Sequence, residues 1–204
     1  ELGYPVDAAG IADLLVAGQR RAVYFATVNG RRFCMMTGIG YDAWVVAGVD
    51  LALKKRVGKL AYVLSMLREL RRYGSRRYRV VIDGVAHEAM SAVITNGRHY
   101  AGSYTLSRQA DLAAPALQAL LIQTPSAARF LGMLFMLPLG LVEQLPFIHS
   151  LPGRHIEVSL VEDDGHDPVQ ADGDTVSQLP AKIRVEAAPV PVLCPALDHR
   201  QAPT

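Results

Sequence analysis

The chain has 204 residues, half of them apolar, and a formal net charge of +2 at neutral pH. That length suits one domain of ordinary size, and the apolar share excludes a disordered tail. No apolar run reaches the length of a membrane-crossing helix, since the longest, Phe130 to Val142, is short and holds Pro138.

From the N-terminus, Asp7 predicts the cap of a short amphipathic helix through Ile11, Leu14 and Leu15, closed at Gly18. The run "AVYFATVNGRRFCMMTGI" reads as two strands joined at Asn29-Gly30, a pair that favours the positive φ angles of a tight hairpin. "GYDAWVVAGVD" leads into a helix from about Lys59 to Arg72. Its apolar stripe is Leu60, Val63, Leu64, Leu67 and Leu70, with Arg68, Arg71 and Arg72 on the other side. "RYRVVI" alternates, turning Tyr78, Val80 and Ile82 to one face, and Asp83-Gly84 folds it back into "VAHEAMSAVITN", which stops at Asn96-Gly97. A further helix is expected with Thr124 as cap and Pro125 as first residue, ended or kinked by Pro138. Beyond it, "HIEVSLVE" points Ile156, Val158 and Leu160 inward, and "AKIRVEA" does the same with Ile183 and Val185. Residues 197–204 form a polar tail expected to fray. Many short strands with Asx-Gly turns predict a mainly β chain, a two-layer antiparallel β-sandwich with two or so inserted α-helices.

Five Asx-Gly pairs punctuate the chain, at Asn29, Asp83, Asn96, Asp164 and Asp172, and on spacing alone all five read as ordinary turns. What stands out is Asp174, the second acid of "QADGDTV", which a turn does not require. Basic residues crowd Lys54 to Arg79: ten of the chain's 21 lysines and arginines, against one acid, Glu69. Such a cluster is either a solvated helix face or a surface for anionic phospholipid, worth about 1 kcal/mol per basic side chain near a charged membrane. Sparse aromatic residues and the low net charge argue against nucleic acid. "FLGMLFMLPLGLV" reads as a core helix, whose methionines could also line an adaptable pocket for an acyl chain. The histidines form no close pair, and Cys34 and Cys194 lack metal or redox spacing, so no metal site is expected and a reducing cytoplasm suits the chain. Phosphate-binding glycine loops and nucleophile elbows are missing from the sequence.

Several segments together resemble one family. "VNGRRFCMMTGIGYDAWV" carries Asn29, Gly30, Arg31, Phe33, Gly38, Gly40, Asp42 and Ala43 in the pattern of the C-terminal domain of bacterial diacylglycerol kinase-like lipid kinases of the YegS type, relatives of sphingosine and ceramide kinases. "KRVGKLAYVLSMLREL" resembles the helix that follows, and "QADGDTVSQLPAKIRVEAAPVPVLCP" the closing block, so the likeness runs over about residues 2–196. The resemblance implies two lobes, of which this chain supplies the second. Residues 1–20 are then a linking helix from an N-terminal α/β lobe, and residues 21–196 the β-sandwich. The missing initiator methionine fits a piece of something longer.

By the same resemblance, the active site is a cleft between the lobes, with ATP and magnesium held mainly by the other one. Asp172 and Gly173 would border the nucleotide. Asp174 would act as proton acceptor in place of the usual glutamate, one methylene shorter. The substrate would be a hydroxyl of diacylglycerol or a similar lipid, its acyl chains admitted by Phe130, Met133, Leu134 and Leu137. Lys54, Lys55, Arg56, Arg68, Arg71 and Arg72 would face the inner surface of the membrane. The chain alone is expected to be inactive. Where relatives hold a structural magnesium ion, this sequence has Ala114 and Pro115 in "ADLAAPALQ", which predicts no such ion. The rival expectations are a non-catalytic lipid- or membrane-binding sandwich and, less favoured, an NAD kinase relative.

Overall fold

The structure is a computed structural model that describes residues 1–49, 60–162 and 165–195. Helix α1 (Ala8–Ala17) leads into β1 (Gln19–Val23), β2 (Ala26–Val28), β3 (Arg31–Phe33) and β4 (Met36–Ile39), followed by α2 (Tyr41–Ala47) and α3 (Leu60–Leu70). Next come β5 (Tyr78–Ile82), β6 (Val85–Ala89), β7 (Ser91–Thr95), the short pair β8 (His99–Tyr100) and β9 (Tyr104–Thr105), and β10 (Leu117–Ile122). Helix α4 (Ala127–Met136) runs into two 3-10 turns, Leu137–Leu139 and Val142–Gln144. The last strands are β11 (Ile148–Gly153), β12 (His155–Leu160), β13 (Pro168–Ala171), β14 (Asp174–Gln178), β15 (Ala181–Val185) and β16 (Val190–Cys194).

Two six-stranded antiparallel sheets carry the fold. The first has the order β11-β10-β7-β4-β13-β14 and the second β3-β2-β15-β12-β5-β6; β1 pairs with β16 in a separate ribbon. The expected sandwich is therefore present. Its inner faces bury Val28, Phe33, Tyr78, Val80, Ile156 and Ile183 from the second sheet against Ile39, Ile94, Leu117 and Leu121 from the first. The first sheet is also covered on its outer face. There Met36, Val93, Leu120 and Ile122 pack with Tyr41, Val45, Tyr73, Phe130 and Met133, which makes the helices a third layer. This double burial explains why β7 and β10 are buried at every position. A strand enclosed on both faces has no polar alternation to announce it.

Local features agree with the sequence in most places and depart from it in a few. Asp7 caps α1, its Oδ1 accepting from the Gly10 N–H at 2.8 Å, and Gly18 closes the helix. Asn29-Gly30 and Asp83-Gly84 both have positive φ at both residues, the backbone of a two-residue hairpin turn. The run from Val85 to Asn96 is not one strand: it breaks at Met90, where the chain leaves the second sheet for the first. Asn96-Gly97 is not a hairpin turn either. Asn96 is buried and donates through Nδ2 to the carbonyls of Tyr24 and Cys34. Asp164 lies outside the described residues. The cap of α4 is Ser126 rather than Thr124, because the Tyr73 hydroxyl holds the Thr124 carbonyl at 2.8 Å and keeps that residue outside the helix. Leu67, assigned to the apolar stripe of α3, is exposed.

Candidate functional site

The turn at Asp172-Gly173 joins β13 to β14, with φ of 48° and 91°. Asp172 does more than turn the chain. Its Oδ2 accepts from the Cys34 N–H at 2.7 Å, and its Oδ1 from the Met35 and Met36 N–H groups at 2.9 and 3.0 Å. The carboxylate thus satisfies three backbone donors in the crossing from β3 to β4 and sets the position of the hairpin tip. Its negative charge, with burial as the larger cause, pushes the Cys34 thiol pKa up. Gly173 has open space on its side-chain side, so a ligand can approach its backbone closely. Asp174 opens β14, the edge strand of the first sheet. It is exposed, and its carboxylate has no hydrogen-bond or ion-pair partner among the described residues.

Behind the turn, polar contacts lead inward. The Gly173 N–H donates to Gln170 Oε1 at 3.0 Å, and Gln170 Nε2 donates to Asp42 Oδ2 at 2.5 Å. The Tyr100 hydroxyl donates to the other oxygen, Asp42 Oδ1, also at 2.5 Å. Asp42 sits in the first turn of α2, and its approach to β4 requires glycine at position 38. A Cβ there would stand 1.9 Å from Asp42 Oδ2. Burial raises the Asp42 pKa, opposed by the hydrogen bonds from Tyr100 and Gln170. Burial, followed by the neighbouring Asp42 charge, raises that of Tyr100 well above its usual value.

Asp42 and Tyr100 stand between two spaces. On one side is an open cleft of about 350 Å³, bordered also by Met36, His99, Gln170, Asp172 and Gly173. On the other is an apolar cavity of about 40 Å³ under α4, lined among others by Val93, Leu120 and Ile148. All four residues expected to contact a lipid chain, Phe130, Met133, Leu134 and Leu137, line this cavity. At about 40 Å³ the cavity is smaller than an acyl chain, so the arrangement sets a small apolar space behind the Asp42–Tyr100 pair, with Asp172 and Gly173 on the cleft side.

The sequence profile of the YegS C-terminal NAD kinase beta sandwich-like domain matches residues 36–194. The chain belongs to this family. It is similar to proteins named diacylglycerol kinase in two strains of Mycobacterium tuberculosis, CDC 1551 / Oshkosh and ATCC 25618 / H37Rv. Each is 27% identical over 208 residues, which cover 96% of this chain and 64% of the relative. The YegS-type domain therefore spans a little under two thirds of the curated relatives it matches. Its fold is also that of a crystal structure of a diacylglycerol kinase from Bacillus anthracis str. Sterne, with a TM-score of 0.64 at 20% identity over 90% of this chain and 60% of that one.

The remaining residues singled out in the YegS-type domain are less uniform. Lys54, Lys55 and Arg56 lie outside the described residues. Arg68 and Arg72 both pair with the buried Glu69, at 3.5 and 3.2 Å, and Arg72 also stacks over Trp44 at 5.0 Å. Of the two, only Arg72 reaches α2, through Trp44, and Arg71 is exposed with no ion-pair partner among the described residues. Among the described residues, no three His, Cys, Asp or Glu side chains are grouped to hold a metal ion. Nor is any described helix long and apolar enough to cross a membrane. In the "ADLAAPALQ" loop, Asp111 Oδ1 accepts from the Ala113 N–H at 3.0 Å and closes its own turn. Sequence reasoning noted Asp42 only as part of a motif, and it missed Gln170 and Tyr100. The Gly38–Gly40–Asp42 spacing was the available signal, since two glycines just ahead of an acid mark a close backbone approach.

Proposed function

We infer that this domain is the lipid-side lobe of an ATP-dependent kinase that phosphorylates a hydroxyl of diacylglycerol or a similar lipid. One observation carries the reading: a single pair, Asp42 and Tyr100, stands between an apolar cavity and the cleft bordered by Asp172 and Gly173, with Asp174 next in the chain. A lipid chain against Phe130, Met133, Leu134 and Leu137, admitted by an outward shift of α4 that enlarges the cavity, would bring its polar end to that wall. The names of the Mycobacterium relatives agree with it.

Phosphoryl transfer depends chiefly on positioning and on neutralising charge, because its transition state is loose. Magnesium-ATP, held mainly by a second lobe, supplies the phosphoryl group and part of that neutralisation. The turn suits the edge of such a site. Gly173 lets phosphate oxygens come near its backbone, and the free carboxylate of Asp174 orients the lipid hydroxyl and takes its proton late in the reaction. The Asp172 carboxylate, already accepting three N–H groups, contributes by holding the turn in place. Asp174 is shorter than a glutamate, and displacing a catalytic group by ~1 Å can cost about 100-fold, so the edge strand must stand closer to the substrate. Such an enzyme works at the cytoplasmic face of a membrane, where its substrate lies.

The test joins this domain to a nucleotide-binding lobe and measures phosphate transfer to dispersed diacylglycerol. Asp174→Ala is expected to abolish turnover without moving the thermal midpoint, and the 204-residue chain alone is expected to transfer nothing. Turnover retained by Asp174→Ala, or phosphorylation by the isolated chain, would contradict the reading. A second reading, a lipid-binding module without catalysis, draws on the same cavity. It gains if the chain binds diacylglycerol while no pairing with a nucleotide-binding lobe yields product.

A further inference from the structure

Helix α4 is apolar on two faces. Phe130 and Met133 are buried against the cavity, while Leu131, Phe135 and, in the 3-10 turn that follows, Leu139 keep 37%, 67% and 61% of their surface exposed. Leu131 and Phe135 stand one helical turn apart and Leu139 continues the series, so the three form a stripe along one edge. Gly132 and Pro138 flank the stripe and are exposed too. Single apolar side chains on a surface are ordinary, but a continuous series of large ones marks a contact surface.

The charges around the stripe indicate what covers it. Between Asp111 and Glu143 the sequence contains no carboxylate, and its one charge is Arg129, exposed in the first turn of α4. At the other end, exposed Arg108 reaches the Gly140 carbonyl at 3.4 Å, next to Leu139. Glu143 is the nearest acid in the sequence. Its oxygens are occupied by the Ser107 hydroxyl at 2.8 Å and the Arg108 N–H at 3.0 Å. An apolar stripe bracketed by two arginines suits the boundary between acyl chains and anionic headgroups.

We propose that α4 and its 3-10 extension form a membrane-docking surface that dips into an anionic lipid bilayer. Leu131, Phe135 and Leu139 enter the acyl region, and Arg129 and Arg108 meet headgroup phosphates. This rests on the lipid reading of the cavity, which the opposite face of the same helix lines. A lipid passing from bilayer to cavity then crosses about one helix diameter, ~10 Å. Of the basic residues expected to face the membrane, Arg68 and Arg72 pair with Glu69, whereas Arg108 and Arg129 border the apolar stripe itself.

Cosedimentation of the 204-residue chain with vesicles tests the proposal, using phosphatidylcholine alone and phosphatidylcholine mixed with phosphatidylglycerol. Binding is expected to the mixed vesicles, weakened at least tenfold by the double variant Phe135→Ser, Leu139→Ser. Arg108→Gln with Arg129→Gln is expected to reduce binding on mixed vesicles to the level on phosphatidylcholine alone. All these side chains are exposed, so the thermal midpoint should hold and a loss of binding is not a loss of fold. Leu15→Ser with Val16→Ser, which alters the exposed apolar residues of α1, should change nothing. The proposal is overturned if the Phe135/Leu139 variant binds like the parent, if the α1 variant abolishes binding, or if the parent binds neither vesicle. Self-association without vesicle binding, reversed by Phe135→Ser, would assign the stripe to a second copy of the chain. The readout needs no turnover, so vesicle binding by a domain that never supports phosphate transfer would sink the kinase reading and leave this one standing.

Discussion

The first sheet separates two cores of different character. On its inner face, Ile156, Ile183, Val80 and Tyr78 interdigitate with Ile94, Leu117 and Leu121, and each of these is almost fully buried. On its outer face, Tyr41, Tyr73 and Phe130 pack edge to face or stacked at centroid distances of 4.1 to 6.1 Å, beside a cavity and a buried carboxyl group. The first core is arranged for cohesion. In the second, tight interdigitation gives way to a small cavity with a polar end.

The largest effect that would sharpen this contrast is expected in the inner core. Ile156→Ala removes a fully buried side chain from between the sheets and should cost about 2–5 kcal/mol, read from denaturant unfolding. Met133→Ala, beside the existing cavity, should cost less, because some of its contacts already face space. Equal losses at the two positions would erase the distinction between the cores.

A smaller effect attaches to the polar end of the second core. Asp42→Ala leaves the Tyr100 hydroxyl and the Gln170 amide without their acceptor and should cost about 1–3 kcal/mol. Asp42→Asn keeps an acceptor and carries no charge, which gives the exchange a pH signature. Burial holds the Asp42 pKa above the ordinary carboxylate value of 3.8. The native state therefore binds the proton more tightly than the unfolded chain, and the associated stabilisation is complete below that value. It is lost as pH rises through the raised pKa. Thermal midpoints compared from pH 4 to pH 8 should show Asp42→Asn gaining on the parent as pH increases. A constant difference would mean that the site does not perturb Asp42.

The same division separates what the sequence disclosed from what it concealed. Hairpins at Asn29-Gly30 and Asp83-Gly84 were legible because two adjacent residues dictate the backbone there. The inner core was legible through alternation, as in "RYRVVI", where Tyr78, Val80 and Ile82 are buried. β10, "LQALLI", was not read as a strand because both its faces are covered, and α2 was missed because it is only seven residues long. At the site, the Asp-Gly-Asp turn was found by its order in the chain. The work of Asp172 depends on backbone donors 136 to 138 positions away, and the Gln170–Asp42 contact joins residues 128 apart. Such partners leave no local pattern.

The two acids of the turn permit the finest test. Asp172 and Asp174 are two residues apart, yet one carboxylate receives three N–H groups and the other none among the described residues. Asp172→Ala should destabilise by about 1–3 kcal/mol, since it strips an acceptor from the β3–β4 crossing and places a residue poorly suited to positive φ at the turn. Asp174→Ala should stay within about 0.5 kcal/mol of the parent, as a solvent-facing side chain with no contacts to lose. An isolated turn would retain neither acid at a fixed position for a reason of its own, and Asp172 has one in its three hydrogen bonds. For Asp174, a structural reason would appear as a loss of stability on removal. If the midpoint does fall, the carboxylate belongs to the fold; if it holds while phosphate transfer by the joined lobes disappears, its role lies in the chemistry across the cleft.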